Sequence, residues 1–158
     1  MTHSGIFQVA CSASDVFRLL ASPERFAPLL PDYESMTMLD ATHFSLRTVI
    51  AIGEISGHAQ LAMELKQAAP ECVVEYVGEG VIAGGRLKFG IRFEIAAQEP
   101  STEVSWRGEV TLDGMLTMLA GHLLETMGRK NFEAMAERVQ QQLIEGSAPG
   151  QPDPDFEI

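Results

Sequence analysis

The chain has 158 residues, 46% hydrophobic and 21% charged, with 11 Lys+Arg against 22 Asp+Glu and a formal net charge of −11. That length supports a hydrophobic core without disulfides or metal, and the composition excludes disordered and fibrous proteins. A domain this acidic is repelled by phosphate backbones and anionic lipid headgroups, which excludes nucleic-acid binding.

Residues 5–10, Gly-Ile-Phe-Gln-Val-Ala, read as an opening strand. Ser12-Ala13-Ser14-Asp15 fits a capping box with Ser12 as cap, and Val16, Phe17, Leu19 and Leu20 supply the apolar face of a short helix. A second cap follows at Ser22, with Pro23 at the first helical position and Glu24 facing the positive helix end. Pro28 and Pro31 disfavour continuation, so this helix ends before Pro31.

From Tyr33 to about Leu112 the period changes to two. Phe44, Leu46, Thr48, Ile50 and Ile52 alternate with His43, Ser45, Arg47, Val49 and Ala51. Ala59, Leu61, Met63 and Leu65 alternate with His58, Gln60, Glu64 and Lys66. Leu87, Phe89, Ile91, Phe93 and Ile95 alternate with Lys88, Gly90, Arg92, Glu94 and Ala96, and Val104, Trp106, Val110 and Leu112 continue the pattern. Such alternation means one buried and one wet face, as in an antiparallel sheet covered on a single side. Turn signals stand at Gly53-Glu54, Pro70-Glu71, Gly84-Gly85 and Pro100-Ser101.

Residues 115–145 switch to helical periodicity, with Asp113 as cap and a length of about 45 Å at about 1.5 Å per residue. The expected organisation is one domain over 1–145, then a flexible acidic tail over 146–158. The order is strand, two short helices, about six strands and one long helix, an α+β arrangement. Curving the sheet around the helix buries one face of each.

Phe132, Met135, Val139 and Leu143 fall on one stripe of this helix, with Ala136 at its margin. Toward the N-terminus the same stripe meets Gly128 and Gly121, with Glu125 beside them, while Leu116, Leu119, Leu123 and Met127 lie on the opposite side. In the second half that opposite side carries Lys130, Glu137 and Gln141. A mid-helix glycine costs about 1 kcal/mol relative to alanine, so a pair on the core stripe suggests space left between helix and sheet. Two readings stay open: a cavity for an apolar ligand roofed by the glycine side, or a helix kinked near Gly128 with both stripes in ordinary core.

Gly78-Glu79-Gly80-Val81-Ile82-Ala83-Gly84-Gly85 lacks the spacing and the Lys-Ser/Thr of a phosphate loop and reads as a β-hairpin rim. His3, His43, His58 and His122 show no metal-ligand spacing, so no metal is expected. His122 and Glu125 are i, i+3 neighbours that could hydrogen-bond a polar ligand head, although Glu125 also stands four residues before Arg129 in the order of a surface ion pair. Trp106 points inward as core or as ligand wall. No nucleophile elbow or Ser/His/Asp constellation can be assembled, so no catalytic residue is assigned.

No run of eighteen apolar residues and no signal-peptide pattern occurs, and Asn131, the single asparagine, is followed by Phe132-Glu133 and forms no sequon. Cys11 and Cys72 read as small buried hydrophobes in a reducing cytosol. The expected location is cytoplasmic.

Together these segments resemble the SRPBCC (START-like, helix-grip) superfamily and, within it, the carbon monoxide dehydrogenase G-subunit family. The matching segments are Ser4-Gly5-Ile6-Phe7, Ala13-Ser14-Asp15-Val16-Phe17, Leu29-Leu30-Pro31-Asp32-Tyr33-Glu34-Ser35, Gly53-Glu54-Ile55-Ser56-Gly57, Gly78 to Gly85, and Gly128-Arg129-Lys130 with Phe132. The resemblance implies a seven-stranded antiparallel sheet gripping the C-terminal helix, with an apolar cavity between them. It also implies a non-catalytic accessory to a molybdenum hydroxylase, recruiting that enzyme to the membrane or carrying a quinone for its electrons. Pro31 is followed by Asp32-Tyr33 where the family often has Gly-Cys, and the chain ends at Ile158 without the hydrophobic anchor of some members. A stable anchor is therefore not expected, whereas transient membrane contact through Leu116, Leu119 and Leu123 is.

The leading expectation is a carrier of a lipophilic small molecule, with Leu30, Leu61, Met63, Phe89, Phe93, Trp106, Met118, Gly121, His122, Glu125 and Gly128 as ligand-binding residues. It needs no resident cofactor; its further partners are molybdenum hydroxylase subunits and a second copy in a homodimer. The alternatives are a cyclase or hydrolase using His122 and Glu125 in the same cavity, and an interaction module whose cavity is filled by its own side chains.

Overall fold

Period-two alternation becomes one curved antiparallel sheet of seven strands. In a computed structural model of the chain, the backbone is described for residues 2–52, 55–82 and 85–147, and side chains for 2–49, 57–81, 85–113 and 128–145. The elements are β1 (Thr2–Val9), α1 (Ala13–Leu20), α2 (Pro23–Phe26), a 3-10 turn (Ala27–Leu29), β2 (Tyr33–Met38), β3 (His43–Ile52), β4 (Ile55–Ala69), β5 (Val73–Ile82), β6 (Gly85–Gln98), β7 (Ser101–Gly114) and α3 (Met115–Ser147). The strand order is β1-β7-β6-β5-β4-β3-β2, so the first strand crosses to pair with the last and the remainder is a meander. Register shifts at Tyr33/Ser35 and Leu65/Gln67 interrupt the ladders at β2 and β4, and such irregularities bend a strand.

The short helices end where their sequence says. Ser12 Oγ accepts from the Asp15 N–H at 3.1 Å, completing the expected cap of α1. Ser22 differs: its side chain makes no cap bond, and its carbonyl instead accepts from Arg25 N and Phe26 N at 3.1 and 2.8 Å. Pro23 has already removed one donor from this single turn. The chain then enters β2 through Asp32, whose φ of 62° lies in the left-handed region. Glycine takes that conformation without penalty, and aspartate tolerates it.

Three expectations about local structure are corrected. Gly78-Glu79-Gly80 lies inside β5 rather than at a hairpin rim, because Gly78 pairs with both Met63 and Phe89, and Gly80 with both Leu61 and Leu87. Asp113 is a strand residue opposite Arg86, since β7 runs on to Gly114, and it does not cap α3. Cys72 is exposed in the turn between β4 and β5, where its N–H bonds Ala69, while Cys11 is buried and burial raises its thiol pKa. The turns at Gly53-Glu54 and Ala83-Gly84, and the tail beyond residue 147, lie outside the described residues.

One core cluster unites the inner face of the sheet, both short helices and the second half of α3. Phe132, Met135, Ala136, Val139 and Leu143 are all buried, as the helical stripe predicts, and Lys130, Glu137 and Gln141 are exposed. Two buried hydroxyls tie the helical layer to the sheet: Tyr76 donates to the Leu20 carbonyl and Thr102 to the Cys11 carbonyl, each at 2.6 Å. Arg138 Nη1 donates to the Leu30 carbonyl at 3.3 Å, fastening α3 to the segment before β2.

Phe132 reaches the sheet at Gly108. A β-carbon at that position would collide with the far edge of the Phe132 ring. The ring cannot step aside easily, because it stacks on Phe89 and on Trp106 with centroids 5.7 and 5.9 Å apart. Gly108→Ala is expected to destabilise the fold by about 1–3 kcal/mol, the cost of overpacking a filled core. Thermal unfolding should show Tm lower by several degrees, and an unchanged Tm would mean that the ring has room to move.

Candidate functional site

The sheet register places the inward residues in rows that can be read across the strands. One row runs Gly5, Trp106, Phe93 and Val74, and the next runs His3, Gly108, Ile91 and Tyr76. Beyond them come Val110, Phe89, Gly78, Met63 and Phe44, and then Leu112, Leu87, Gly80, Leu61 and Leu46. Burial divides these rows. Val74, Tyr76, Ile91 and Phe93 are at most 1% exposed; in the second pair of rows Phe44, Leu46, Leu61 and Met63 are buried too, whereas Leu87, Phe89, Val110 and Leu112 are half-buried.

The half-buried rows are apolar, and their middle strand carries no side chain at Gly78 or Gly80. A β-carbon at Gly78 would strike Met63 Sδ, and one at Gly80 would lie 2.6 Å from Leu61 Cδ2. Met63 and Leu61 therefore fill the space over the two glycines. The packed end faces α1, α2 and the second half of α3.

Where the two ends meet, Phe132 is the centre of an aromatic group. Phe89 and Trp106 stack on it, and the His3 ring tilts against it at 46° with a centroid separation of 5.8 Å. Gly128, one turn earlier on the same helical face, puts no side chain beside that group. His3 Nε2 is shielded from solvent and has no hydrogen-bond partner among the described residues. A polar atom left in that condition costs about 1–3 kcal/mol, so its presence calls for an explanation.

The expected ligand-binding residues fall into three groups. Phe89, Trp106 and Gly128 come together around Phe132, with Leu61 and Met63 on the floor beside them. Phe93 and Leu30 lie at the packed end: Phe93 is edge-on to Phe26 at 5.5 Å, and Leu30 is bonded to Arg138. Met118, Gly121, His122 and Glu125, together with the back stripe Leu116, Leu119, Leu123 and Met127, lie outside the residues whose side chains are described. His3 is a site residue that sequence reasoning passed over, although period two from Phe7 through Gly5 carries it to the inner face.

A seven-stranded antiparallel sheet closed over a long C-terminal helix defines a START-type, helix-grip protein, and solved structures of that shape agree. A conserved protein from Geobacillus kaustophilus superposes with a TM-score of 0.79 at 11% identity, covering 92% of this chain and 97% of that one. A START superfamily protein from Mycobacterium smegmatis gives 0.68 at 15% identity, with 91% and 97% covered. Zhui aromatase/cyclase from Streptomyces sp. gives 0.69 at 15% identity, with 96% and 99% covered. No curated protein matches by sequence. Residues 5–144 match the carbon monoxide dehydrogenase G-subunit (CoxG) family, and the chain belongs to that family. Among the described residues no helix is long and apolar enough to cross a membrane.

The outer face of the sheet is ionic. A shallow groove of about 470 Å³ there is lined by His43, Ala62, Glu64, Val77, Glu79, Lys88, Glu109 and Thr111, among others. At its edge His43 Nδ1 lies 3.0 Å from Asp40 Oδ1 and its Nε2 lies 3.3 Å from Glu64 Oε2. A carboxylate beside each ring nitrogen favours the imidazolium over the neutral ring. The hydrogen bond to Asp40 and the charge on Asp40 raise the His43 pKa above 6.5, and Glu64 adds to the effect. Asp40 is lowered from 3.8 to about 2, first by the Thr42 N–H and then by the His43 ring and N–H.

The His43 contribution to stability is complete below pH 6.5 and fades as pH rises through its raised pKa, while that of Asp40 is present above pH 3.8 and lost as pH falls through about 2. His43→Gln should therefore lower Tm at about pH 5 and match the parent protein at about pH 9. Equal Tm differences at both pH values would show that His43 contributes packing rather than charge.

Proposed function

We propose that this protein is a non-catalytic, cytoplasmic accessory that holds a lipophilic small molecule of quinone type between the sheet and α3, serving a carbon monoxide dehydrogenase-type molybdenum hydroxylase. The observation that carries this reading is the divided inner face. Most of it is buried core, while on β6 and β7 Leu87, Phe89, Val110 and Leu112 are only half-buried, beside Met63 and Leu61 lying over Gly78 and Gly80. Membership of the CoxG family supports the enzyme it serves. The proposed lining is Leu61, Met63, Phe89, Trp106 and Gly128, with Met118, Gly121, His122 and Glu125 contributed by α3. Concave, mostly apolar sites of this kind bind by burying the guest's hydrocarbon surface.

Trp106 is the single tryptophan and belongs to the proposed wall, so its fluorescence reports occupancy directly. Menadione, a small quinone, should quench it saturably. Gly128→Leu puts a bulky side chain one turn before Phe132 and should weaken that binding about tenfold or more. The same change removes a glycine from a helix, so Tm should hold or rise by an amount corresponding to about 1 kcal/mol. Native mass spectrometry of protein extracted gently from its own host should show a bound lipophile. Protein that emerges empty and also ignores menadione would overturn the carrier reading.

A further inference from the structure

We propose that His3 is the polar anchor of the site: its Nε2–H donates a hydrogen bond to an oxygen on the guest and so fixes which end of the lipophile enters first. The proposal rests on the carrier reading above and adds to it a specific residue, a specific atom and a requirement on the guest's chemistry.

Three observations meet at this residue. Its ring faces inward on β1, directly opposite Gly108, the position that the Phe132 ring of α3 covers. It leans on Phe132, whose ring also stacks on Phe89 and Trp106, so the imidazole belongs to the same aromatic group as the proposed wall. Its Nε2 is buried and lacks a partner among the described residues, whereas the buried Tyr76 and Thr102 hydroxyls at the inner face are bonded to backbone carbonyls. An unpaired ring nitrogen at the margin of an apolar site, carrying its proton as Nε2–H, distinguishes a guest with an acceptor oxygen from a plain hydrocarbon, because only the former restores the missing bond. The guest is therefore a lipophile with a carbonyl-type oxygen at one end, and the oxygen sits by the β1 edge with the hydrocarbon over Met63 and Leu61.

The test compares menadione with methylnaphthalene, which has the same fused-ring skeleton without the carbonyls. The parent protein should bind menadione about tenfold more tightly, and the His3 Nε2 signal in nitrogen NMR should move with menadione and stay still with methylnaphthalene. His3→Phe keeps an aromatic ring against Phe132 and deletes the donor. It should abolish the preference by weakening menadione alone, with Tm equal to or above that of the parent. Menadione bound equally well by His3→Phe, with an unmoved Nε2 signal in the parent, would overturn the anchor and leave the carrier reading standing. Failure of both compounds to bind the parent protein would overturn the carrier reading itself, and the anchor with it.

Discussion

The ring of Phe132 occupies the volume that a β-carbon of residue 108 would need, and the placement of α3 follows from that contact. One side chain touches three neighbouring strands at once: β1 through His3, β7 through Gly108 and Trp106, and β6 through Phe89. Aromatic pairs of this kind contribute about 0.5–1.5 kcal/mol each beyond their buried area. A helix held at one such point can neither rotate nor slide without breaking several pairs together. Once Phe132 is seated, Met135, Val139 and Leu143 follow at i+3, i+7 and i+11 and fall onto the core without further instruction.

The same contact explains how one helix serves two unlike ends of the sheet. C-terminal to Phe132, bulky side chains meet rows whose members are almost wholly buried, and Tyr76 and Thr102 lock the short helices behind them. N-terminal to it, Gly128 brings no side chain, and the sheet answers with glycines of its own at positions 78 and 80. Met63 and Leu61 fill the space over those glycines, so the surface stays apolar. Close packing makes interiors intolerant of gaps, and an apolar face left half-buried beside a filled core has to be covered by something. The guest and the helix share that task in the carrier reading.

Most of the architecture was legible because its signals are local. Period two marks the strands since each alternate side chain must enter one core, and the Phe132–Leu143 stripe marks α3 for the same reason at another period. The readings that failed depended on pairing, which no local window contains. Gly78 and Gly80 look like turn residues until Met63 and Leu61 are placed over them from the next strand. Asp113 looks like a cap until Arg86 is found opposite it, and Cys72 looks like core until the turn carries it outward. His3 needed both kinds of information: its parity was readable, but the isolation of Nε2 emerges only when β1 is laid beside β7 and under Phe132.

The division between the faces also bears on whether the cavity serves chemistry or carriage. Ion pairs occupy the outside of the sheet, where Arg92 meets Glu75 and Glu94, Arg47 and His58 meet Glu34, and Arg107 meets Glu109. The described inner face carries no carboxylate or ammonium, and its hydroxyls at Tyr76 and Thr102 are committed to backbone carbonyls. Acid–base catalysis needs a group to take a proton and a second to give one, each within hydrogen-bond reach of the reacting atoms. The imidazole nitrogen of His3 supplies one such group at most, and His122 and Glu125 lie outside the residues whose side chains are described. In the carrier reading that nitrogen supplies orientation, because one directional bond at one end of an apolar slot distinguishes the head of a guest from its tail. That is the property a carrier needs when its cargo must be handed over with the reactive end leading.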